Sequence, residues 1–260
     1  MRRKLNYKLI QELHSQGMND NEIARALNAS VNGVRYVRKT ILGLKHNTKH
    51  YTLTKEMESI IIGTLLGDAC VLYVHKGCKY PSYQCSHCEK QYDYLQMIYS
   101  KLKSIMTPTI TEHKEHILYI KGKKYKRNKN YSIRSRNCDC LIPFRDAFYP
   151  KDKKVIPIEF IKNKFDKTSL AYWFMDDGSL DRKRGSFILN TQCFTKENLK
   201  EFIEFLYTKF GLLFTIKKDN SLYLKHCCNS LFQDLISDLI TKDMRYKLLS
   251  SLNSVKQGNS

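Results

Sequence analysis

The sequence predicts an α+β protein, built as two similar halves joined through a pair of apolar helices and preceded by a small all-α unit. Three observations carry this reading. Two runs, Ile61-Ile62-Gly63-Thr64-Leu65-Leu66-Gly67-Asp68-Ala69 and Leu170-Ala171-Tyr172-Trp173-Phe174-Met175-Asp176-Asp177-Gly178, are both apolar and helix-forming, and both close on an aspartate beside a small residue. The segments after each run repeat one order of elements, so that each half reads helix, two strands, helix, two strands, helix. Residues 1–45 instead show helical spacing alone. A chain of 260 residues accommodates all three units with a core in each half.

Leu5, Leu9, Ile10 and Leu13 recur on one helical face, and Gly17 ends that helix. Asn19 with Glu22 three positions on matches a capping box and opens a second helix with Ile23, Ala24 and Leu27 inside. Asn28-Ala29 is the turn, and Ser30 caps a third helix whose inner face is Val31, Val34 and Val37. Helix, tight turn, helix is the layout of a helix-turn-helix. The third helix is expected to present Asn32, Arg35, Arg38 and Lys39 outward to DNA. Residues 46–53 lack periodicity and read as a linker.

The first half spans 54–150. Thr54, with Glu56 and Glu58 at the positive end of the helix dipole, starts the first motif helix. Strands are expected at 70–74 and 80–85, then a helix over 89–105 with Tyr92, Leu95, Ile98 and Leu102 inward. A hairpin of 117–120 with 131–134 around a basic loop comes next, followed by a helix over 140–148. The second half, 151–250, places a strand at 186–191 after the second run. A helix follows over 196–210, then a hairpin of 213–217 with 221–225 and a helix over 230–239. Residues 251–260 form a tail.

Composition restricts the partners. Lys and Arg number 45 against 25 Asp and Glu, a formal charge of +20. Such an excess points to a polyanion, because cations that neutralise phosphates release condensed counterions. No apolar run approaches the roughly 20 residues of a membrane span, and Met1-Arg2-Arg3-Lys4 is not followed by the apolar stretch of a secretory signal. Nine cysteines, an odd number without a signal, fit a reducing compartment: a bacterial or phage-infected cytoplasm, or an organelle matrix. Cys85-Ser86-His87-Cys88 and Cys138-Asp139-Cys140 have uneven spacing and no second C-x-x-C, so buried free thiols explain them better than zinc.

The two runs carry the chemistry. Glycine inside a helix costs about 1 kcal/mol relative to alanine, so Gly63 and Gly67 call for a packing reason: two helix backbones in close approach. If the helices pack in parallel about a pseudo-twofold axis, Asp68 and Asp177 emerge together at one end. Two carboxylates at the negative ends of two dipoles repel each other unless divalent cations lie between them. Hard oxygen ligands suit Mg²⁺, with Mn²⁺ as a substitute. Such an ion between carboxylate and phosphate supports phosphodiester hydrolysis.

In these residues the chain resembles the LAGLIDADG homing endonucleases, in the single-chain form with two motifs. The closer likeness is to the branch containing a mitochondrial intron endonuclease, through Leu170–Gly178, Leu189-Asn190-Thr191-Gln192-Cys193-Phe194-Thr195, Met244-Arg245-Tyr246-Lys247-Leu248 and Lys153-Lys154-Val155-Ile156-Pro157. The resemblance covers about residues 54–250 and leaves the N-terminal unit as an added module. It implies two αββαββα repeats packed through their motif helices. It also implies a monomeric, Mg²⁺-dependent, site-specific double-strand DNA endonuclease with a long asymmetric target and short 3′ overhangs. Asp68 and Asp177, at the eighth place of each motif, match the metal-binding catalytic aspartates, and Lys154 and Lys247 match the basic residues flanking the two centres. Gln84 and Gln192 fall at related places and would order waters. Asp176 holds the seventh place, where the family uses a backbone carbonyl, and Ala69 stands where the consensus has glycine. Each half would present a curved sheet to the major groove, with Lys123, Lys124, Lys126 and Arg127 from the basic segment 121–129, and Arg182, Lys183 and Arg184 from the second half. The resemblance leaves two other readings: an RNA-splicing maturase bound to its intron RNA, and a DNA-binding regulator on a decayed nuclease core. Retention of both aspartates and both lysines favours the nuclease.

Overall fold

Residues 5–45 do fold as three helices, because each start signal finds its partner. In the computed structural model, which describes residues 5–45, 50–120 and 123–249, α1 is Tyr7–Ser15, α2 Asp20–Ala26 and α3 Val31–Tyr36. Both bonds of the capping box form: Glu22 N donates to Asn19 Oδ1 at 3.1 Å, and Asn19 N donates to Glu22 Oε2 at 3.0 Å. Asn28 takes φ 48° in the turn, and Ser30 Oγ accepts from Gly33 N at 3.1 Å. Ile10, Ile23, Ala24, Val34 and Val37 form the core of this unit. After Tyr36 the helix widens into a π turn over Val37–Ile41.

One expectation fails here. Arg38 does not face outward; it is 6% exposed, and its guanidinium donates to both carboxylate oxygens of Asp20 (2.6 and 3.1 Å) and to the Leu44 carbonyl (2.6 Å). The reason is its position. Arg38 lies four residues after Val34, on the buried face, and Asp20 at the start of α2 supplies the charge that burial demands. Asn32, Arg35 and Lys39 are exposed as expected.

Residues 52–260 form a separate unit. Its elements are α4 (Lys55–Leu66), β1 (Cys70–Leu72), β2 (Ser82–Cys88), α5 (Tyr92–Lys101), β3 (Thr111–His113), β4 (His116–Ile120), β5 (Lys123–Arg127), β6 (Asn130–Arg134), α6 (Ile142–Phe148), α7 (Ile158–Ile161), α8 (Lys167–Asp177), β7 (Gly178–Asp181), β8 (Ser186–Leu189), α9 (Lys196–Phe210), β9 (Phe214–Ile216), β10 (Leu222–Leu224) and α10 (Asn229–Ile236). Two antiparallel sheets result, in the orders β1-β2-β6-β3 and β7-β8-β10-β9. Counted among the strands of each four-stranded sheet, both orders are first, second, fourth, third, which is the internal repeat in three dimensions.

The first half departs from expectation between its third and fourth strands. The segment 131–134 does not pair with 117–120. β6 pairs with β2 and β3, while β4 pairs with β5 as a separate two-stranded ribbon, with Ile117 opposite Lys126 and Leu118 opposite Tyr125. The basic segment expected as a loop is therefore partly strand. Lys121 and Gly122 lie outside the described residues, as do 46–49 of the linker and the tail 251–260. Among the described residues no helix is long and apolar enough to cross a membrane. All nine cysteines are free.

Candidate active site

Helices α4 and α8 are buried along almost their whole length and pack on each other. The glycines set how closely. A Cβ at Gly63 would meet the Ser169 carbonyl at 2.4 Å and Tyr172 Cβ at 2.9 Å; one at Gly67 would meet Asp176 Cβ at 2.3 Å. Moving four residues along α4 thus moves the contact from Ser169–Tyr172 to Asp176, so the helices run parallel. At both crossings a glycine of the first motif faces the bulkier residue in the same motif place of the second. Ser59 and Ser169 tie the N-terminal ends: Ser169 Oγ donates to the Ser59 carbonyl at 2.9 Å, and Ser59 Oγ donates to Asp166 Oδ2 at 3.0 Å.

Parallel packing brings the two motif aspartates to one end. The Asp68 side chain is half-exposed. Partial burial and then the Asp176 charge hold its carboxyl above the usual range, with His87, Lys247 and Lys154 pulling the other way. Burial, then the charges of Asp68 and Asp176, push Asp177 up to about 7, against Lys154 and Lys247. Each aspartate therefore meets acid charge from the other motif.

The lysines repeat the symmetry. Lys154 Nζ donates to the carbonyls of Gly67 (2.6 Å) and Ala69 (3.4 Å); Lys247 Nζ donates to those of Met175 (2.5 Å) and Asp176 (3.2 Å). Each lysine comes after the strands and helices that follow one motif and returns to satisfy carbonyls at the end of that motif. Burial lowers the pKa of Lys247, opposed by Asp176, Asp68 and Asp177.

Asp176 makes a structure that motif reasoning did not anticipate. Its side chain is inaccessible. Oδ2 accepts from Asp68 N at 3.1 Å and Oδ1 from Tyr94 Oη at 2.8 Å, with His87 Nε2 at 3.4 Å from Oδ1. His87 Nδ1 lies 3.8 Å from Asp68 Oδ2. Burial alone would lower the pKa of His87, but its bond to Asp176 and the charges of Asp176 and Asp68 raise it overall. Tyr94 is pushed far above the phenol range by burial and by Asp176, so it stays a donor. The sequence signal for this group was weak: a doubled acid in the second motif, and a histidine between two cysteines.

The glutamines do not occupy equivalent places. Gln84 lies in β2 opposite Cys70, two residues after Asp68. The residue opposite Ser179, two after Asp177, is Ile188. Gln192 lies in the turn after β8, exposed, with its amide 3.5 Å from Asp219 Oδ2. The register after each motif, rather than nearness in sequence, decides equivalence. Lys123, Lys124, Lys126 and Arg127 are exposed on β5, and Lys126 pairs with Glu115 at 2.9 Å. Arg182, Lys183 and Arg184 occupy the β7–β8 turn, where Asp181 Oδ1 accepts from Lys183 N and Arg184 N. A groove of about 480 Å³ on the first sheet is lined by Gln84, Ser86, His113, His116, Arg127 and Arg134, among others.

The chain and its fold have known relatives. Residues 58–229 match the model of the LAGLIDADG DNA endonuclease family. The chain is 30% identical over 230 residues to a probable intron-encoded endonuclease 1 of Wickerhamomyces canadensis, covering 82% of this chain and 95% of that protein. It is 34% identical over 110 residues to a probable intron-encoded DNA endonuclease 3 of Mycosarcoma maydis, covering 40% and 81%. Among solved structures, the homing endonuclease I-WcaI bound to its DNA recognition sequence superposes with a TM-score of 0.66 at 27% identity, covering 82% of this chain and 97% of that one.

Proposed function

The chain belongs to the LAGLIDADG DNA endonuclease family, and from this we propose that it is a site-specific double-strand DNA endonuclease, cutting a long asymmetric target to leave short 3′ overhangs. The observation that carries the reading is the convergence of Asp68 and Asp177 at the ends of parallel α4 and α8, each electrostatically strained by acids of the other motif. Because both motifs lie in one chain, it acts as a monomer. The halves 54–150 and 151–250 form the nuclease, and residues 1–45 add a helix-turn-helix through Asn32, Arg35 and Lys39.

The donor set fits Mg²⁺, with Mn²⁺ as a substitute. Asp68 and Asp177 are hard oxygen donors whose raised pKa values are relieved by a cation. Both neighbouring lysines donate to backbone carbonyls at the motif ends. When bound, Mg²⁺ supplies Lewis-acid stabilisation of the charge that develops on the phosphate. The chain's own residues do the rest. Lys154 and Lys247 pin the motif ends, so the carboxylates hold their positions, and they offset part of the acid charge. Exposed cations on β5 and the β7–β8 turn neutralise phosphates and set the duplex in register.

The test is direct. Wild-type protein with Mg²⁺ is incubated with DNA spanning the uninterrupted insertion locus of its own gene, and the ends are mapped. Paired cuts with 3′ overhangs, lost on chelation, are expected. Asp68→Asn and Asp177→Asn are each expected to bind the DNA but to cut it more than ~100-fold more slowly. Wild-type rates in either would remove the mechanism.

A further inference from the structure

The charge of Asp68 acts on Asp177, the pair used above. Asp68 also lies beside His87 and Asp176, which the cleavage chemistry does not require. We propose that Asp68, His87 and Asp176 form a second cation site, which takes a first-row transition ion such as Zn²⁺ or Co²⁺ through the His87 imidazole.

The site follows from two local facts. β2 alternates, so Tyr83, Cys85 and His87 point inward while Gln84, Ser86 and Cys88 point out. This places the imidazole beneath the ends of the motif helices. The second motif carries an acid at its seventh place, where the first has Gly67, and the missing side chain at Gly67 leaves room for the Asp176 carboxylate. One ligand atom each from Asp68, His87 and Asp176 then lies within 4.8 Å of the others.

The surroundings hold the ligands as a metal site requires. Tyr94 Oη and Asp68 N fix the Asp176 carboxylate. Gln91 Oε1 lies 3.3 Å from His87 Nδ1. In the tautomer that donates to Gln91, Nε2 keeps its lone pair, and Nε2 is the nitrogen 3.4 Å from Asp176. An outer partner on the distal ring nitrogen is how metal-bound histidines are usually oriented. Asp68, whose Oδ2 lies 3.8 Å from the Nδ1 edge of the ring, is the one half-exposed ligand, and its side chain must swing toward Nε2 to close the set to the roughly 2.0–2.2 Å of such ions. A cleft of about 410 Å³ lined by Asp68, His87, Gln91 and residues of the 126–130 turn gives a path from solvent.

Ion class follows from the ligands. Mg²⁺ demands octahedral oxygen and sheds water reluctantly. One imidazole with two carboxylates in a buried setting suits Zn²⁺ and Co²⁺, which also bind more tightly than lighter divalent ions in nitrogen-containing sites. Because Asp68 belongs to both groups, an ion held by His87 withdraws that carboxylate from the Asp68–Asp177 pair. The second site therefore antagonises the first, and Zn²⁺ suppresses what Mg²⁺ supports.

The experiment reads binding, not cleavage, so it stands whether or not the chain cuts DNA. Metal-stripped full-length protein is titrated with Co²⁺ in the visible range and with Zn²⁺ by equilibrium dialysis. A d–d band of low-coordinate Co²⁺, displaced by Zn²⁺, is expected in the wild type and in Asp177→Asn. His87→Gln is expected to lose that band and to bind one ion fewer, with affinity at this site reduced beyond the ~10–100-fold cost of losing an outer-shell partner. Unchanged binding in His87→Gln, or loss of the band in Asp177→Asn, overturns the site. Because His87 is buried, zinc X-ray absorption of the unaltered chain at one equivalent provides a measurement free of folding effects. Imidazole scattering is expected there, and an all-oxygen shell also overturns the proposal.

Discussion

At the scale of single residues, Asp177 makes the sharpest demand. Its carboxyl is pushed up to about 7 in the folded chain, first by burial and then by Asp68 and Asp176, against an unfolded value near 3.9. Between those values the folded state binds more protons than the unfolded one, so metal-free stability falls as pH rises from about 4 to 7. The urea midpoint of chelated protein is therefore expected to decrease over that window, to flatten in Asp177→Asn, and to recover when Mg²⁺ is added at pH 8. A midpoint that rises through the window would contradict the crowding of acids. Asp68 and Asp177 were legible in sequence because each closes a periodic apolar run, and a run has a definite end. His87 was not. Strand alternation says only that it points inward; what it meets there is the end of a helix that begins 80 residues further along the chain at Lys167. Arg38 was misread for the opposite reason. Its charge suggested solvent, while its place four residues after Val34 put it in the core beside Asp20.

Elements were legible where capping and periodicity agree. α9 runs over Lys196–Phe210 as expected, with Thr195 Oγ1 accepting from Asn198 N at 3.3 Å and Gly211 closing it at φ 71°. β4 was legible as a strand, but β5 and their pairing as a ribbon were not. Exposed along the described part of both edges, the ribbon has no buried row to impress a period of two on the sequence. The motif helices lie between these cases: two glycines announced a close approach without saying to what. The structure makes that approach measurable. In an isolated helix, Gly63→Ala would stabilise by about 1 kcal/mol. Here the new Cβ meets the Ser169 carbonyl at 2.4 Å and Tyr172 Cβ at 2.9 Å, and one of these is backbone that cannot turn aside. Overpacking of this kind costs about 1–3 kcal/mol, occasionally more, and the clash opposes the propensity gain. A net loss of about 1–2 kcal/mol is expected, read as a lower denaturant midpoint at unchanged slope. Stabilisation by the substitution would mean that α4 and α8 stand further apart than described.

At the scale of the whole chain, the question is how a net charge of +20 is divided between holding DNA and building the protein. Residues 1–51 and 52–260 are separate units, so their contributions to phosphate binding are separable in experiment. Among the described residues of the first unit, Arg38 is committed to Asp20 and cannot reach a phosphate. Arg35 and Lys39 remain exposed on the third helix and its π extension. Each phosphate neutralised contributes about 0.9 to the slope of log affinity against log salt for duplex DNA. If both cations bind phosphate, Arg35→Ala with Lys39→Ala lowers that slope by up to ~1.8 and leaves the folded unit intact. Deleting residues 1–51 lowers it by at least as much, since the remaining basic residues of the unit leave as well. The exposed cations of β5 and the β7–β8 turn stay, so a salt-dependent interaction persists in the truncated chain. Fluorescence anisotropy on the target duplex from 50 to 300 mM salt measures all three proteins. A slope unaltered by both the double substitution and the deletion would assign the N-terminal helices some task other than gripping DNA, and would leave the nuclease halves to account for binding alone.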